Sequence, residues 1–233
     1  MKALILAAGY ATRLYPLTLD RPKALLPVGG KPMLDHLMEQ LEQVEGLDEV
    51  YVVTNSKFAE AFREWAAARS GLPLRIIDDG TVDDDSKLGA IGDLDLTIRE
   101  AELDDDLIVL AGDNLFSESI APFPVFALRK GGPALGVYDV GDLDTIRRYS
   151  VIELDDDDRV TRLEAGLCQR GDQAPRVGVD IRVGAVPRPR LGPDVYRRRG
   201  RRVAGVADRR AAHPPVGDGG VRRGGGQGGA GLR

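Results

Sequence analysis

Apolar and polar positions switch between two periods along the first two thirds of the chain. Lys2 to Ala7 is a short apolar run of the kind that a buried parallel strand shows. Pro16, Pro22, Pro27 and Pro32 then forbid a regular helix between Tyr10 and Pro32, which leaves a long ordered loop after the first strand. From Met33 the spacing turns helical, with Leu34, Leu37, Met38, Leu41 and Val44 on one face and Gly46 as a terminator. Glu49 to Thr54 reads as a strand, Ser56 to Arg69 as a helix striped by Phe58, Ala61, Phe62 and Trp65, and Leu74 to Ile77 as another strand. An acidic loop, Asp78 to Asp85, leads into a helix from Lys87 to Leu103. Leu107 to Ala111 follows as an apolar strand ending at Gly112-Asp113-Asn114. Ala134 to Val140 reads as a strand and Asp142 to Tyr149 as a short helix. Val151 to Leu154 and Val160 to Leu163 read as a hairpin around Asp155 to Asp158. Repeated β then α predicts an α/β fold, doubly wound around a mainly parallel sheet.

Composition changes this picture at one place. Residues 1–164 carry 17 Lys+Arg against 32 Asp+Glu, whereas residues 165–233 carry 15 Arg against 5 Asp. The body is therefore acidic by 15 charges and the tail basic by 10, which sums to the net charge of −5. Arg, Gly, Ala and Pro fill 45 of the last 69 positions, and Lys, Glu, Ser, Thr, Asn, Phe, Trp and Met are absent there. Val177, Val179, Ile181 and Val183 alternate briefly, but neither period is sustained, and Gly217 to Gly231 is of low complexity. The expected division is a folded domain over 1–164 and an Arg/Gly-rich, disordered tail over 165–233. The four enriched residue types are those of codons that begin with two G or C bases. Such a tail is expected either from reading out of the ancestral frame or from a genuine Arg/Gly-rich appendage, and the gene's nucleotide sequence would separate the two.

The longest apolar run near the start, Ala3 to Ala8, is too short for a bilayer span of ~20 residues and makes a poor signal peptide. The single Cys168 can form neither an intramolecular disulfide nor a cysteine metal site. A cytoplasmic protein without membrane partners is expected. Nucleic acid is a poor partner for so acidic a body, and the basic tail has only Tyr196 for stacking.

The candidate chemistry begins directly after the first strand, at Leu6-Ala7-Ala8-Gly9-Tyr10-Ala11-Thr12-Arg13-Leu14. Small side chains in a tight turn let backbone N–H groups approach a nucleotide, and Arg13 can present paired donors to phosphate oxygens. Arg13, Arg21 and Lys23 place three cations on one proline-stiffened loop, an arrangement suited to a polyphosphate. A second constellation is the strand Val109 to Ala111 ending in Asp113. Ligands of open α/β sheets bind beyond the carboxyl ends of the strands, where a carboxylate can hold Mg²⁺ against substrate phosphates. Between the two, Leu88-Gly89-Ala90-Ile91-Gly92-Asp93 carries glycines near a helix start that allow a flat ligand close to the backbone. The acidic runs Asp83 to Asp85, Asp104 to Asp106 and Asp155 to Asp158 read as solvated turns, and His36 has no metal-ligand partner at suitable spacing.

The loop continues Pro16-Leu17-Thr18, then Arg21-Pro22-Lys23-Ala24-Leu25-Leu26-Pro27-Val28, and ends Lys31-Pro32-Met33. Over this stretch the chain resembles the sugar-1-phosphate nucleotidyltransferase family, which carries L-A-A-G-x-G-T-R-L, P-L-T, P-K, L-P-V and K-P-M in the same order. The resemblance covers residues 1 to about 164. It implies a Rossmann-like fold and transfer of a nucleotidyl group from an NTP to a sugar 1-phosphate, with glucose 1-phosphate the favoured acceptor. It further implies that Leu6, Ala7, Ala8, Gly9 and Thr12 cradle the nucleotide, with Gly89 facing the base or sugar. Arg13 and Lys23 would act as catalytic cations and Asp113 would hold Mg²⁺.

Two departures stand out. The family has a second glycine where this chain has Ala11, which is expected to be tolerated if its backbone dihedral is ordinary. Family members also follow the hairpin with Glu-Lys-Pro, whose lysine approaches the sugar phosphate, and later supply a second metal aspartate. This chain reads Glu164-Ala165-Gly166 and has no lysine after Lys130. The fold is therefore expected to be incomplete at its C-terminal end and the activity weak or absent. Rival readings are a non-catalytic regulatory protein that binds a nucleotide or NDP-sugar, and a cytidylyltransferase acting on a non-sugar phosphate. Assembly into a homo-oligomer stays open.

Overall fold

The structure is a computed structural model that describes residues 1–137, 150–164, 177–179, 183–186 and 205–206. The continuation of the strand from Ala134 to Val140, the helix at Asp142 to Tyr149 and most of the tail lie outside the described residues.

The elements in chain order begin with β1 (Lys2–Leu6), followed by the short pair β2 (Pro27–Val28) and β3 (Lys31–Pro32). Then come α1 (Met33–Leu41), β4 (Glu49–Thr54), α2 (Ala59–Ala67), β5 (Leu74–Asp78), α3 (Gly89–Glu100) and β6 (Leu107–Ala111). Next are α4 (Pro122–Lys130), β7 (Ala134–Gly136), β8 (Ser150–Leu154) and β9 (Val160–Glu164). Three short strands follow in the tail: β10 (Val177–Val179), β11 (Val183–Val186) and β12 (Gly205–Val206).

The main sheet has the order β12-β7-β11-β6-β1-β4-β5. Within it β6, β1, β4 and β5 are all parallel, and β11 runs antiparallel to both β6 and β7. A smaller antiparallel sheet joins β10, β8 and β9. In the parallel core Leu4 stands level with Tyr51 on one side and Val109 on the other. Successive residues of a strand face opposite ways, so this register sorts the side chains into two layers. Ala3, Ile5, Val50, Val52, Ile108 and Leu110 pack with Leu34, Leu37, Met38 and Leu41 of α1, Phe62 of α2 and Phe123 of α4. Leu4, Tyr51, Val53 and Leu107 face the other way, toward Leu94 and Leu96 of α3. Both faces being covered is why the strands read as unbroken apolar runs, and it makes the sheet doubly wound.

The helix boundaries moved for identifiable reasons. α2 starts at Ala59 rather than Ser56, because Asn55 Oδ1 accepts the Phe58 N–H at 3.2 Å while the Ser56 N–H goes to the Thr81 carbonyl at 2.9 Å. α3 starts at Gly89 rather than Lys87, after a turn in which the Ser86 N–H donates to Asp83 Oδ1 at 2.9 Å. The pattern assigned no element between Asn114 and Ala134, yet α4 lies there. Its Pro122 and Pro124 fall in the first turn, where the missing N–H groups have no helical partner anyway, and Gly131 at φ +65° closes it. Asp35 fastens α1 to α2 by accepting Trp65 Nε1 at 2.8 Å and the Arg69 guanidinium at 2.7 Å. His36 Nε2 donates to the Val28 carbonyl at 2.8 Å, a structural role.

Phe62 is fully buried in the larger layer, whereas Leu128 on α4 is half exposed. Phe62→Ala is expected to lower unfolding free energy by about 3–5 kcal/mol and Leu128→Ala by no more than about 0.5 kcal/mol, measured by chemical denaturation.

Candidate functional site

The site is built at the carboxyl ends of β1 and β6. After Leu6 the Ala7 N–H donates to the Val53 carbonyl at 2.9 Å, and Asn55 Nδ2 donates to the Ala8 carbonyl at 2.8 Å. These bonds fix the start of the turn against the end of β4. Tyr10 is buried and its hydroxyl meets Thr81 Oγ1 at 3.2 Å. Thr81 Oγ1 spends its own proton on Asp79 Oδ1 at 2.7 Å, so the phenol is the donor. Burial holds that phenol above its ordinary pKa, and the neighbouring aspartates push the same way.

Ala11 adopts φ +49° and ψ +40°. The backbone position is thus left-handed, so the condition under which alanine would be tolerated without cost is not met. A Cβ in this region costs about 1–2 kcal/mol. The turn is held there by Thr18 Oγ1, which donates to the Ala11 carbonyl at 2.9 Å, and by the Leu14 N–H, which reaches the same oxygen at 2.9 Å.

On the neighbouring strand, Gly112 makes room for the turn. Its N–H donates to the Leu6 carbonyl at 2.8 Å, and a Cβ there would lie 3.2 Å from Ala7 Cβ, Ile5 Cγ2 and Leu6 O. Asp113 comes next in the chain. Lys23, on a single helical turn after Pro22, places Nζ 2.7 Å from Asp113 Oδ2. The two residues are 90 positions apart in sequence.

A cavity of about 520 Å³ opens over this junction. Leu6, Ala7, Gly9, Thr12, Arg13, Lys23 and Asp113, all singled out from the sequence, line it. Ala8, Gly89 and Arg21 do not: Ala8 is buried with its carbonyl on Asn55, Gly89 opens α3 at φ +75° outside the lining, and Arg21 is exposed outside it. Tyr10 and Gly112, from the same two sequence segments, line it as well, Asp84 and Lys87 line it without having been picked out, and Asn55 supports the turn. Asp83 to Asp85 form an exposed turn, as read, and Asp84 of that turn adds a carboxylate to the cavity lining. Lys23 is paired with Asp113 and Lys87 with Asp84, whereas Arg13 has no ion-pair partner among the described residues.

A second acidic feature lies close by. Asp79 and Asp93 are both buried, and Asp79 Oδ2 and Asp93 Oδ1 have no hydrogen-bond partner among the described residues. Burial, reinforced by the charge of Asp79, pushes the Asp93 carboxyl up to about 6.

Comparison with known proteins places this architecture. The fold matches a crystal structure of UDP-glucose pyrophosphorylase complexed with UDP-glucose at a TM-score of 0.64 and 17% identity, covering 84% of this chain and 77% of that one. The chain belongs to the nucleotidyl transferase family, whose model matches residues 2–164. Among curated relatives, the bifunctional protein GlmU of Methanococcus maripaludis is 32% identical over 166 residues, covering 70% of this chain and 35% of that protein. The UTP–glucose-1-phosphate uridylyltransferase AglF of Haloferax volcanii is 29% identical over 163 residues, covering 70% of this chain and 64% of that protein. The chain thus spans less than two thirds of either relative. No helix among the described residues is long and apolar enough to cross a membrane.

Two outcomes follow from the turn and the buried acids. Ala11→Gly relieves the left-handed strain and loses only the backbone entropy of glycine, so a net gain of up to about 1 kcal/mol is expected in thermal or chemical denaturation. Asp93 binds its proton more tightly folded than unfolded, where its pKa is about 3.9. Its contribution is therefore fully present below about pH 4, declines as pH rises through about 6, and stays absent above that. The difference between wild type and Asp93→Asn should shift by roughly 2–3 kcal/mol between pH 4 and pH 7, with the asparagine variant relatively more stable at pH 7.

Proposed function

We propose that the cavity is the active site of a sugar-1-phosphate nucleotidyltransferase that joins an NTP, UTP or dTTP, to glucose 1-phosphate. The observation that carries this reading is the meeting of Lys23 with Asp113 at 2.7 Å on the cavity formed by the turn after β1. A cation and a carboxylate brought together from distant loops over the strand ends suit a polyphosphate with its divalent ion.

In this reading the backbone of Leu6, Ala7 and Gly9 to Thr12 cradles the nucleotide, with Ala8 held behind it by Asn55. Arg13, unpaired among the described residues, takes phosphate oxygens in a fork, and Lys23 leaves Asp113 for the phosphates when they arrive. Gly89 stays a candidate for contact with the base or sugar only through a movement of the start of α3. The sugar-phosphate oxygen attacks the α-phosphorus in line. The bond from that phosphorus to the bridging oxygen breaks, and pyrophosphate leaves with the electron pair. The attacking phosphate is already anionic, so positioning and charge neutralisation supply the acceleration and no strong base is needed.

Asp113 is the residue that would hold Mg²⁺. Its side chain is partly exposed, only Oδ2 is engaged by Lys23, and no group of three metal-ligating side chains occurs among the described residues. One carboxylate plus substrate phosphates is an arrangement that Mg²⁺ accepts, so the residue fits the ion. When bound, the ion would screen the phosphate charge that builds up on the leaving pyrophosphate.

The departure at Glu164-Ala165-Gly166, where the resembling family has Glu-Lys-Pro, lowers the expected turnover. Losing one charged phosphate contact removes roughly 1.5–3 kcal/mol, about 10- to 100-fold in rate. The division at residue 164 and the out-of-frame origin of the tail are part of the same proposal.

Pyrophosphate release from UTP, dTTP, GTP and CTP with glucose 1-phosphate and Mg²⁺ tests the reading. Slow, Mg²⁺-dependent release that falls at least about tenfold in Arg13→Ala and Lys23→Ala is the expected result. Nucleotide binding with no release favours the regulatory alternative. Absence of nucleotide binding by the wild-type chain contradicts both.

A further inference from the structure

The turn between β5 and α3 is closed by its own side chains. The Ser86 N–H donates to Asp83 Oδ1 at 2.9 Å, Ser86 Oγ donates to the Asp83 carbonyl at 3.1 Å, and the Asp83 N–H reaches Ser86 Oγ at 3.4 Å. This closure sets the positions of the two residues that the turn contributes to the cavity, Asp84 and Lys87. Lys87 Nζ lies 3.1 Å from Asp84 Oδ1. The pair repeats, on another loop, the arrangement of Lys23 with Asp113.

Topology separates the two pairs. In the order β6-β1-β4-β5 the nucleotide turn follows β1, Asp113 follows β6, and the Asp84/Lys87 turn follows β5. Lys87 therefore approaches the turn from the flank opposite Asp113. The mechanism above uses neither Lys87 nor Asp84.

We propose that Lys87 is a third phosphate-binding cation of this site, held ready by Asp84, and that its ligand is the polyphosphate of the nucleotide. The inference rests on the reading of the cavity as an NTP site. Charge balance supports it: the lining carries Arg13, Lys23 and Lys87 against only two carboxylates, Asp84 and Asp113. With no ligand, each lysine is neutralised by a carboxylate of the same cavity, and one cation is left over. Both partners of the Lys87–Asp84 pair are half exposed, at 56% and 50%, so solvent screens their attraction and the pair is easily exchanged. A polyphosphate offers several anionic oxygens in place of one carboxylate oxygen, and charge-assisted hydrogen bonds to it favour the exchange. Asp84 is then a latch that keeps the lysine over the cavity and lowers the affinity slightly in doing so. The sugar phosphate is the other source of the same chemistry, and the nucleotide is preferred because Lys87 shares its cavity with the turn that cradles it.

The test is an equilibrium titration of the full chain and its variants with inorganic tripolyphosphate, UTP, UMP and glucose 1-phosphate. Lys87→Gln should weaken tripolyphosphate and UTP by about tenfold while changing UMP and glucose 1-phosphate by less than about twofold. Lys87→Arg should restore most of the loss, and Asp84→Asn should tighten tripolyphosphate by about two- to threefold. Unchanged tripolyphosphate affinity in Lys87→Gln overturns the proposal, as does a loss confined to glucose 1-phosphate or a weakening by Asp84→Asn. If Arg13→Gln weakens tripolyphosphate and Lys87→Gln does not, only this inference falls. If the wild-type chain takes up neither tripolyphosphate nor UTP, the nucleotide reading falls with it.

Discussion

The contact between Lys23 and Asp113 is the junction on which the site depends, and its own energy does not hold it together. Both side chains are more than a third exposed, at 36% and 45%, and an ion pair in that setting contributes at most about 1 kcal/mol. What brings the two residues together is the parallel register of β1 and β6, in which Leu6 stands opposite Ala111, together with a glycine small enough for the chains to close up beyond the strand ends. The sheet does the positioning, and the ion pair itself adds little to it.

The same division of labour runs through the rest of the cavity. Rigid, buried groups fix the backbone: Asn55 on the Ala8 carbonyl, Thr18 on the Ala11 carbonyl, and the chain from Tyr10 through Thr81 to Asp79. Exposed, loosely paired groups face the cavity. Two features of this frame oppose stability, a non-glycine residue in left-handed backbone at Ala11 and a buried carboxyl at Asp93 whose proton is held up to about 6. Ala11 lines the cavity, and backbone strain at such a position is where functional demands most often override folding demands.

Much of this was legible from the residues. β1, β4 and β6 were read to within a residue, because strands covered on both faces leave unbroken apolar runs bounded by polar ends. Arg13 and Lys23 of the proline-stiffened loop and the aspartate beyond β6 were also visible, whereas Arg21, read together with them, lies outside the cavity lining. Helix α4 was missed, since two prolines and two phenylalanines in nine residues mask its period. Asp84 and Lys87 were missed for a different reason. Three consecutive aspartates look like any solvated turn, and only the path of the chain after β5 brings them over the turn after β1. The dihedral at Ala11 was likewise hidden, as an alanine in sequence says nothing about its φ. In the tail, the alternation of Val177, Val179, Ile181 and Val183 was read as too brief to make an element, and short strands lie at 177–179 and 183–186.

In the proposed function Arg13, Lys23 and Asp113 gather around one triphosphate and its divalent ion. A crystal structure of the chain with a non-hydrolysable UTP analogue and Mn²⁺, the ion located by its anomalous signal, addresses it most directly. The expected result is a triphosphate along the turn from Ala7 to Arg13, within hydrogen-bond reach of Arg13 and Lys23, with the ion on the Asp113 carboxylate. A nucleotide seated elsewhere on the molecule, or an ion held without Asp113, would contradict it.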